Sequence, residues 1–178
     1  VTPHSSSLEQ SHLSVELADP AATQSFGRRL GELLFPGSVV ALIGPLGAGK
    51  TQLVRAISEG LLIKDSRMVT SPTFVLIQEY DARLPIYHFD TYRLADERAF
   101  LDLGVQEYFE GEGVCLIEWA DRVERSLPAE CLRITFEVTG ETTRKLTIQA
   151  LGDRYEQLVQ GLRPAQRASA SVQLLQDM

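Results

Sequence analysis

The chain is poor in several residues on which other functional classes depend. Its 178 residues include no asparagine, so the Asn-Lys-x-Asp motif by which GTPase switches read guanine is absent. Only two cysteines occur, Cys115 and Cys131, with no C-x-x-C spacing and no His pair beside them. That argues against a thiolate metal site and leaves two buried, reduced thiols as the expectation. No apolar run approaches the ~20 residues of a membrane span. The first residues lack a charged-then-apolar signal pattern, so a cytoplasmic protein without membrane association is expected. Positive charge is short as well. The net charge is −7, whereas unaided binding of nucleic acid needs clustered Lys and Arg. A hydrophobic share of 44% is enough for one core and one domain.

What the chain does have is Gly44-Pro45-Leu46-Gly47-Ala48-Gly49-Lys50-Thr51, a match to G-x-x-x-x-G-K-[ST]. In such a loop backbone N–H groups wrap around nucleotide phosphates, Lys50 reaches the β- and γ-phosphates, and the Thr51 hydroxyl ligates Mg²⁺. Glycines let backbone approach phosphate where a side chain would intrude. The flanks agree with this reading. Val39-Val40-Ala41-Leu42-Ile43 reads as a buried strand, and Leu53, Val54, Ile57 and Leu61 fall at helical spacing beyond the loop. Phosphate would thus sit at a helix N-terminus. The chain is expected to bind a nucleotide.

The rest of the pattern predicts an α/β fold. It is a single P-loop NTPase-type domain over 1–163, with a mixed, mainly parallel central sheet flanked by helices, plus β-hairpins. His12 to Leu17 alternates as a strand, and Asp19-Pro20 predicts an N-cap and first turn. Phe26, Leu30, Leu33 and Leu34 form that helix's apolar stripe, which Pro36-Gly37 ends. Phe74 to Tyr80 and Ile86 to Asp90 predict a hairpin, and Ala95 to Phe109 a helical region broken at Gly104. Val114 to Ile117 predicts a second buried strand. Arg133 to Val138 and Lys145 to Ala150 predict a late hairpin. Residues 164–178, rich in Ala, Ser and Gln, read as a weakly ordered tail.

A P-loop needs a carboxylate near its Mg²⁺, at the end of a neighbouring strand. Glu118 follows Val114-Cys115-Leu116-Ile117, and Asp90 ends Ile86-Tyr87-His88-Phe89. One would serve the metal and the other the attacking water, and these residues alone leave the division open. Either could also simply cap the next element. Ser71-Pro72-Thr73-Phe74 places two hydroxyls around a fixed turn, where Thr73 could sense γ-phosphate or Mg²⁺ or merely begin a strand.

Taken together, these blocks resemble the TsaE family, formerly YjeE, the P-loop ATPases of bacterial tRNA threonylcarbamoyladenosine synthesis. The resemblance rests on Gly44 to Thr51 continued by Gln52-Leu53-Val54-Arg55, on Ser71-Pro72-Thr73-Phe74, on Tyr87-His88-Phe89-Asp90-Thr91-Tyr92-Arg93-Leu94, and on Ile117-Glu118-Trp119. Thr91 stands where the family commonly has Leu, and Ala120 where Pro is frequent. The resemblance implies an accessory ATPase that uses ATP and Mg²⁺ and docks on the TsaD–TsaB pair, meeting tRNA only through that complex. It implies Glu118 as the acid on Mg²⁺ or its water shell, Asp90 as the second catalytic carboxylate, and Thr73 as a switch-like residue. Trp119 would lie beside the nucleotide, although it also suits a strand-end core position.

The mechanism expected is in-line attack of water on the γ-phosphate, slow in isolation because no arginine finger is placed by these motifs. Arg55, Arg93 and Arg122 are candidates in cis. A small-molecule P-loop kinase is the alternative, for which Arg122-Val123-Glu124-Arg125 is the only lid-like stretch, and it reads better as a solvated helix face. A nucleotide-sensing module without turnover is another.

Overall fold

The computed structural model describes residues 12–163. The predicted tail at 164–178 lies outside the described residues. Seven strands form one sheet: β1 (His12–Leu17), β2 (Val39–Ile43), β3 (Ile77–Tyr80), β4 (Ile86–Asp90), β5 (Val114–Glu118), β6 (Cys131–Val138) and β7 (Arg144–Leu151). Their order is β1-β7-β6-β2-β5-β4-β3. The four central strands, β6, β2, β5 and β4, run parallel, and antiparallel strands flank them on both sides. The sheet is therefore mixed, parallel at its centre, with the two predicted hairpins at its margins.

Strand alternation sorts the core into two layers. Val40, Leu42, Ile86, Leu116 and Ile134 face α1 (Pro20–Leu33), α2 (Lys50–Gly60) and α5 (Asp153–Leu162). Val39, Ala41, Phe89, Cys115 and Ile117 face the side of α3 (Glu97–Leu101) and α4 (Val105–Phe109). The expected apolar rows are buried: Leu30, Leu53, Val54, Ile57 and Leu61 are solvent-inaccessible. Two helices can approach this closely where glycines face each other. A Cβ on Gly31 would stand 2.2 Å from the Ile57 carbonyl oxygen, and one on Gly60 2.1 Å from that of Arg28. The α1 cap is as expected, with Asp19 Oδ1 accepting from the Ala22 N–H at 2.8 Å.

Some expectations need correction. The strand predicted from Phe74 begins only at Ile77. After Pro72 the chain turns first, the Val75 and Leu76 N–H groups both bonding the Pro72 carbonyl, with Leu76 at φ 68°. Phe74 and Val75 are consequently exposed. Residues 122–125 do present a solvated helical face, with Arg122, Glu124 and Arg125 exposed, but the helix is a 3₁₀ segment, Ala120–Ser126, in which Val123 is buried and departs from helical angles. The break at Gly104 is confirmed, at φ 75° between α3 and α4. Helix α5 was not anticipated. Both cysteines are buried and unpaired.

Candidate nucleotide site

The residues singled out on the sequence meet at the C-terminal ends of the parallel strands. β2 delivers the 44–49 loop, β5 delivers Glu118, and β4 delivers Asp90, with Asp90 and Glu118 in register as neighbours. They line one cavity of about 430 Å³ with Leu46 to Gln52, Ser71, Thr73, Tyr92 and Trp119. Gly49, at φ 100°, makes the sharp entry into α2. No side chain caps α2, so its first-turn N–H groups stay available to an anion. Gly44 passes against β6, where a Cβ would come within 2.8 Å of Phe136 Cβ.

Lys50 is buried and curls over the loop, donating to the carbonyls of Gly44 at 2.7 Å and Pro45 at 2.9 Å. Its ammonium also lies 3.7 Å from the centroid of the Trp119 ring. Burial pulls the Lys50 pKa down, while the Glu118, Asp121 and Asp90 carboxylates push the other way. Trp119 attains this position through left-handed backbone angles, φ 59°, directly after β5. The Thr91 hydroxyl holds the turn by donating to the carbonyls of Trp119 and Glu118. Tyr92 packs on Trp119, ring centroids 4.8 Å apart.

Two carboxylate stations result. Thr51 Oγ1 donates to Glu118, 2.7 Å from Oε1 and 3.0 Å from Oε2. Glu118 Oε1 also meets His88 Nε2 at 2.8 Å. Asp90 Oδ2 instead accepts from Ser71 and, at 2.8 Å, from Thr73, while its Oδ1 takes the Tyr92 N–H. Thr73 thus touches Asp90, and Thr51 touches Glu118.

A hydroxyl that donates its proton to a carboxylate keeps its lone pairs for a hard cation, and Mg²⁺ completes its shell with waters and phosphate oxygens. Among the described residues there is no cluster of three or more His, Cys, Asp or Glu side chains able to hold a metal by itself. The oxygen pair Thr51–Glu118 beside an open phosphate loop fits Mg²⁺ carried with a nucleotide.

Three residues given no individual role on the sequence belong to this surround. His88 shares a face with Asp90 because β4 alternates, a signal present in the sequence. Tyr92 follows from its place in the same block. Arg144 had no local signal: it starts β7, yet donates to the P-loop carbonyls of Ala48 at 2.9 Å and Gly47 at 3.3 Å. The cis-arginine candidates are engaged elsewhere. Arg55 bonds the Val69 carbonyl, Arg93 stacks on Phe74, and Arg122 bonds the Leu94 carbonyl.

Known proteins similar to this chain bear on its family and its fold. The family model described as threonylcarbamoyl adenosine biosynthesis protein TsaE matches residues 17–146. A tRNA threonylcarbamoyladenosine biosynthesis protein TsaE from Bacillus subtilis (strain 168) is 46% identical over 145 residues, 81% of this chain and 89% of that protein. The TsaE of Treponema pallidum is 44% identical over 126 residues, 71% of this chain and 92% of its own length. The crystal structure of Bacillus subtilis YdiB superposes with a TM-score of 0.72 at 38% identity, covering 86% of this chain and 95% of that one.

Proposed function

The chain belongs to the TsaE family of threonylcarbamoyl adenosine biosynthesis proteins, and from that premise we propose that it is a Mg²⁺-dependent ATPase. In this reading it supports a TsaD–TsaB transferase complex in tRNA threonylcarbamoyladenosine formation and meets tRNA through that complex. The observation that carries the reading is the Thr51–Glu118 pair beside the 44–49 loop. It is what a P-loop needs to accept a phosphate-bound cation.

Each residue's work follows from its contacts. Lys50 exchanges the carbonyls of Gly44 and Pro45 for phosphate oxygens, and the uncapped N–H groups of α2 bind the same anion. Thr51 and Glu118 would hold the metal, which would supply positive charge against the phosphates. Asp90, fixed by Ser71, Thr73 and the Tyr92 N–H, orients the attacking water and receives its proton. Thr73, bonded to Asp90, is assigned the relay from the phosphate to the exposed Phe74 turn. Trp119 closes one wall.

Among the described residues no arginine lines the cavity. That supports slow turnover alone and completion of the catalytic set by the partner complex. The chain's negative balance favours contact with a protein complex over direct contact with tRNA.

The test is phosphate release from ATP and GTP, with the protein alone and with its cognate TsaD–TsaB pair. ATP-selective release that rises with the pair is expected. Unchanged release would detach the chain from that complex. Appearance of a phosphorylated small acceptor would favour a kinase, and binding without release under any condition would favour a sensing module.

A further inference from the structure

His88 is a fully buried imidazole on β4, between the edge strand β3 and the parallel strand β5 that carries the residue it serves. β4 alternates so that Ile86, His88 and Asp90 share the face that carries α2, and β5 sends Glu118 to the same face. The ring reaches across with Nε2, 2.8 Å from Glu118 Oε1. Its other nitrogen, Nδ1, is buried and has no hydrogen-bond partner among the described residues. A proton on Nδ1 would be a buried donor without an acceptor, and Nε2 would then face a carboxylate oxygen with a lone pair. Of the two tautomers, the one with the proton on Nε2, donated to Glu118, is the less costly, since it leaves only a lone pair unmatched at Nδ1.

That donation has a geometric consequence. Glu118 Oε1 receives two donors, His88 from the sheet and Thr51 from the first turn of α2, while Oε2 receives Thr51 alone. With His88 holding Oε1, the carboxylate cannot rotate about its terminal bond without losing a buried hydrogen bond. Thr51 then keeps donating to Glu118 and its lone pairs stay directed away from the carboxylate.

We propose that His88 is a positioning residue for the cation site, setting how tightly the site takes a divalent metal rather than how tightly it takes the nucleotide. This rests on the Mg²⁺–nucleotide reading above. Outer partners of metal-binding groups act in this way by fixing the orientation of the inner ones.

The test uses the full chain with ADP and Mn²⁺, whose EPR signal separates free from bound metal, alongside calorimetry of ADP binding in EDTA. His88→Leu removes the donor, and His88→Gln keeps an N–H near the position of Nε2. His88→Leu should weaken Mn²⁺ binding by about tenfold to a hundredfold, leave metal-free ADP affinity within about twofold, and be largely rescued by His88→Gln. His88→Asn, polar but too short to reach Glu118, takes the place of His88→Leu if that variant does not fold. In the unaltered protein, ¹⁵N NMR should find the His88 proton on Nε2. The proposal is overturned by unchanged Mn²⁺ affinity, by equal loss of metal-free ADP binding, by His88→Gln no better than His88→Leu, or by a proton on Nδ1. Wild-type protein in which ADP and Mn²⁺ bind without affecting one another would instead overturn the cation–nucleotide reading itself.

Discussion

Lys50 spends its charge on two backbone carbonyls and an indole face, with three carboxylates within electrostatic reach. Replacing it removes the one cation that lines the cavity among the described residues, so Lys50→Ala should weaken ATP binding by at least tenfold, read by titration calorimetry. Glu118 sits behind Thr51 and not in the loop. Glu118→Ala should therefore lower single-turnover hydrolysis by about a hundredfold or more while ATP binding changes much less. Equal loss of both would sink the assigned role. Asp90 has a separate set of partners, so Asp90→Asn should slow hydrolysis and leave the metal dependence of binding in place. The residues of the loop were legible because eight consecutive positions encode it. The division between Glu118 and Asp90 was not, since both end apolar strands. Only their hydrogen-bond partners, Thr51 for one and Ser71 with Thr73 for the other, distinguish them.

Elements were legible where the local signals were strong. β2 and the Asp19 cap coincide with their predictions, because a continuous apolar run and an Asp-Pro pair act over a few residues. Asp19→Ala should cost about 1 kcal/mol in denaturant unfolding. α5 escaped notice because Gly152 stands at its N-cap without a side-chain acceptor, and the helix has only 10 residues. β3 starts late because Pro72 nucleates a turn that outcompetes the apolar run Phe74-Val75-Leu76. The contact of α1 with α2 is a property of the pair. Alanine in place of Gly31 would gain about 1 kcal/mol in helix propensity. Its Cβ, however, would press on a backbone oxygen 2.2 Å away, which cannot rotate aside. Gly31→Ala should therefore be a net loss of about 1–3 kcal/mol in urea unfolding, with the P-loop helix displaced.

At the scale of the whole molecule, the sheet buries groups that stay neutral only while it is folded. Burial pushes the Cys115 thiol from its ordinary 9.0 to about 12, and the Tyr155 hydroxyl from 10.0 to about 12. Above their ordinary values both ionise in the unfolded chain but not in the folded one, so the unfolded state holds fewer protons and stability falls as pH rises. Between pH ~10 and ~12 the slope should be about 1.4 kcal/mol per pH unit for each group. Urea midpoints across that range should show it, and Cys115→Ala should remove about half of it, leaving the Tyr155 share. Neither thiol should react with an aromatic disulfide reagent until the protein unfolds. By itself the sequence determined the phosphate loop, its strand and helix, the α/β class and the candidate carboxylates, because backbone chemistry, periodicity and capping act over a few neighbouring residues. The tertiary structure decided what depends on strands far apart in sequence becoming neighbours. Register between β4 and β5 set Asp90 beside Glu118, and their pairing gave His88 to the same carboxylate that Thr51 reaches from the first turn of α2. A turn held by Thr91 swung Trp119 over Lys50, and β7 brought Arg144 to the loop, since a side chain's partner is fixed by which strand lies alongside and which face it shows.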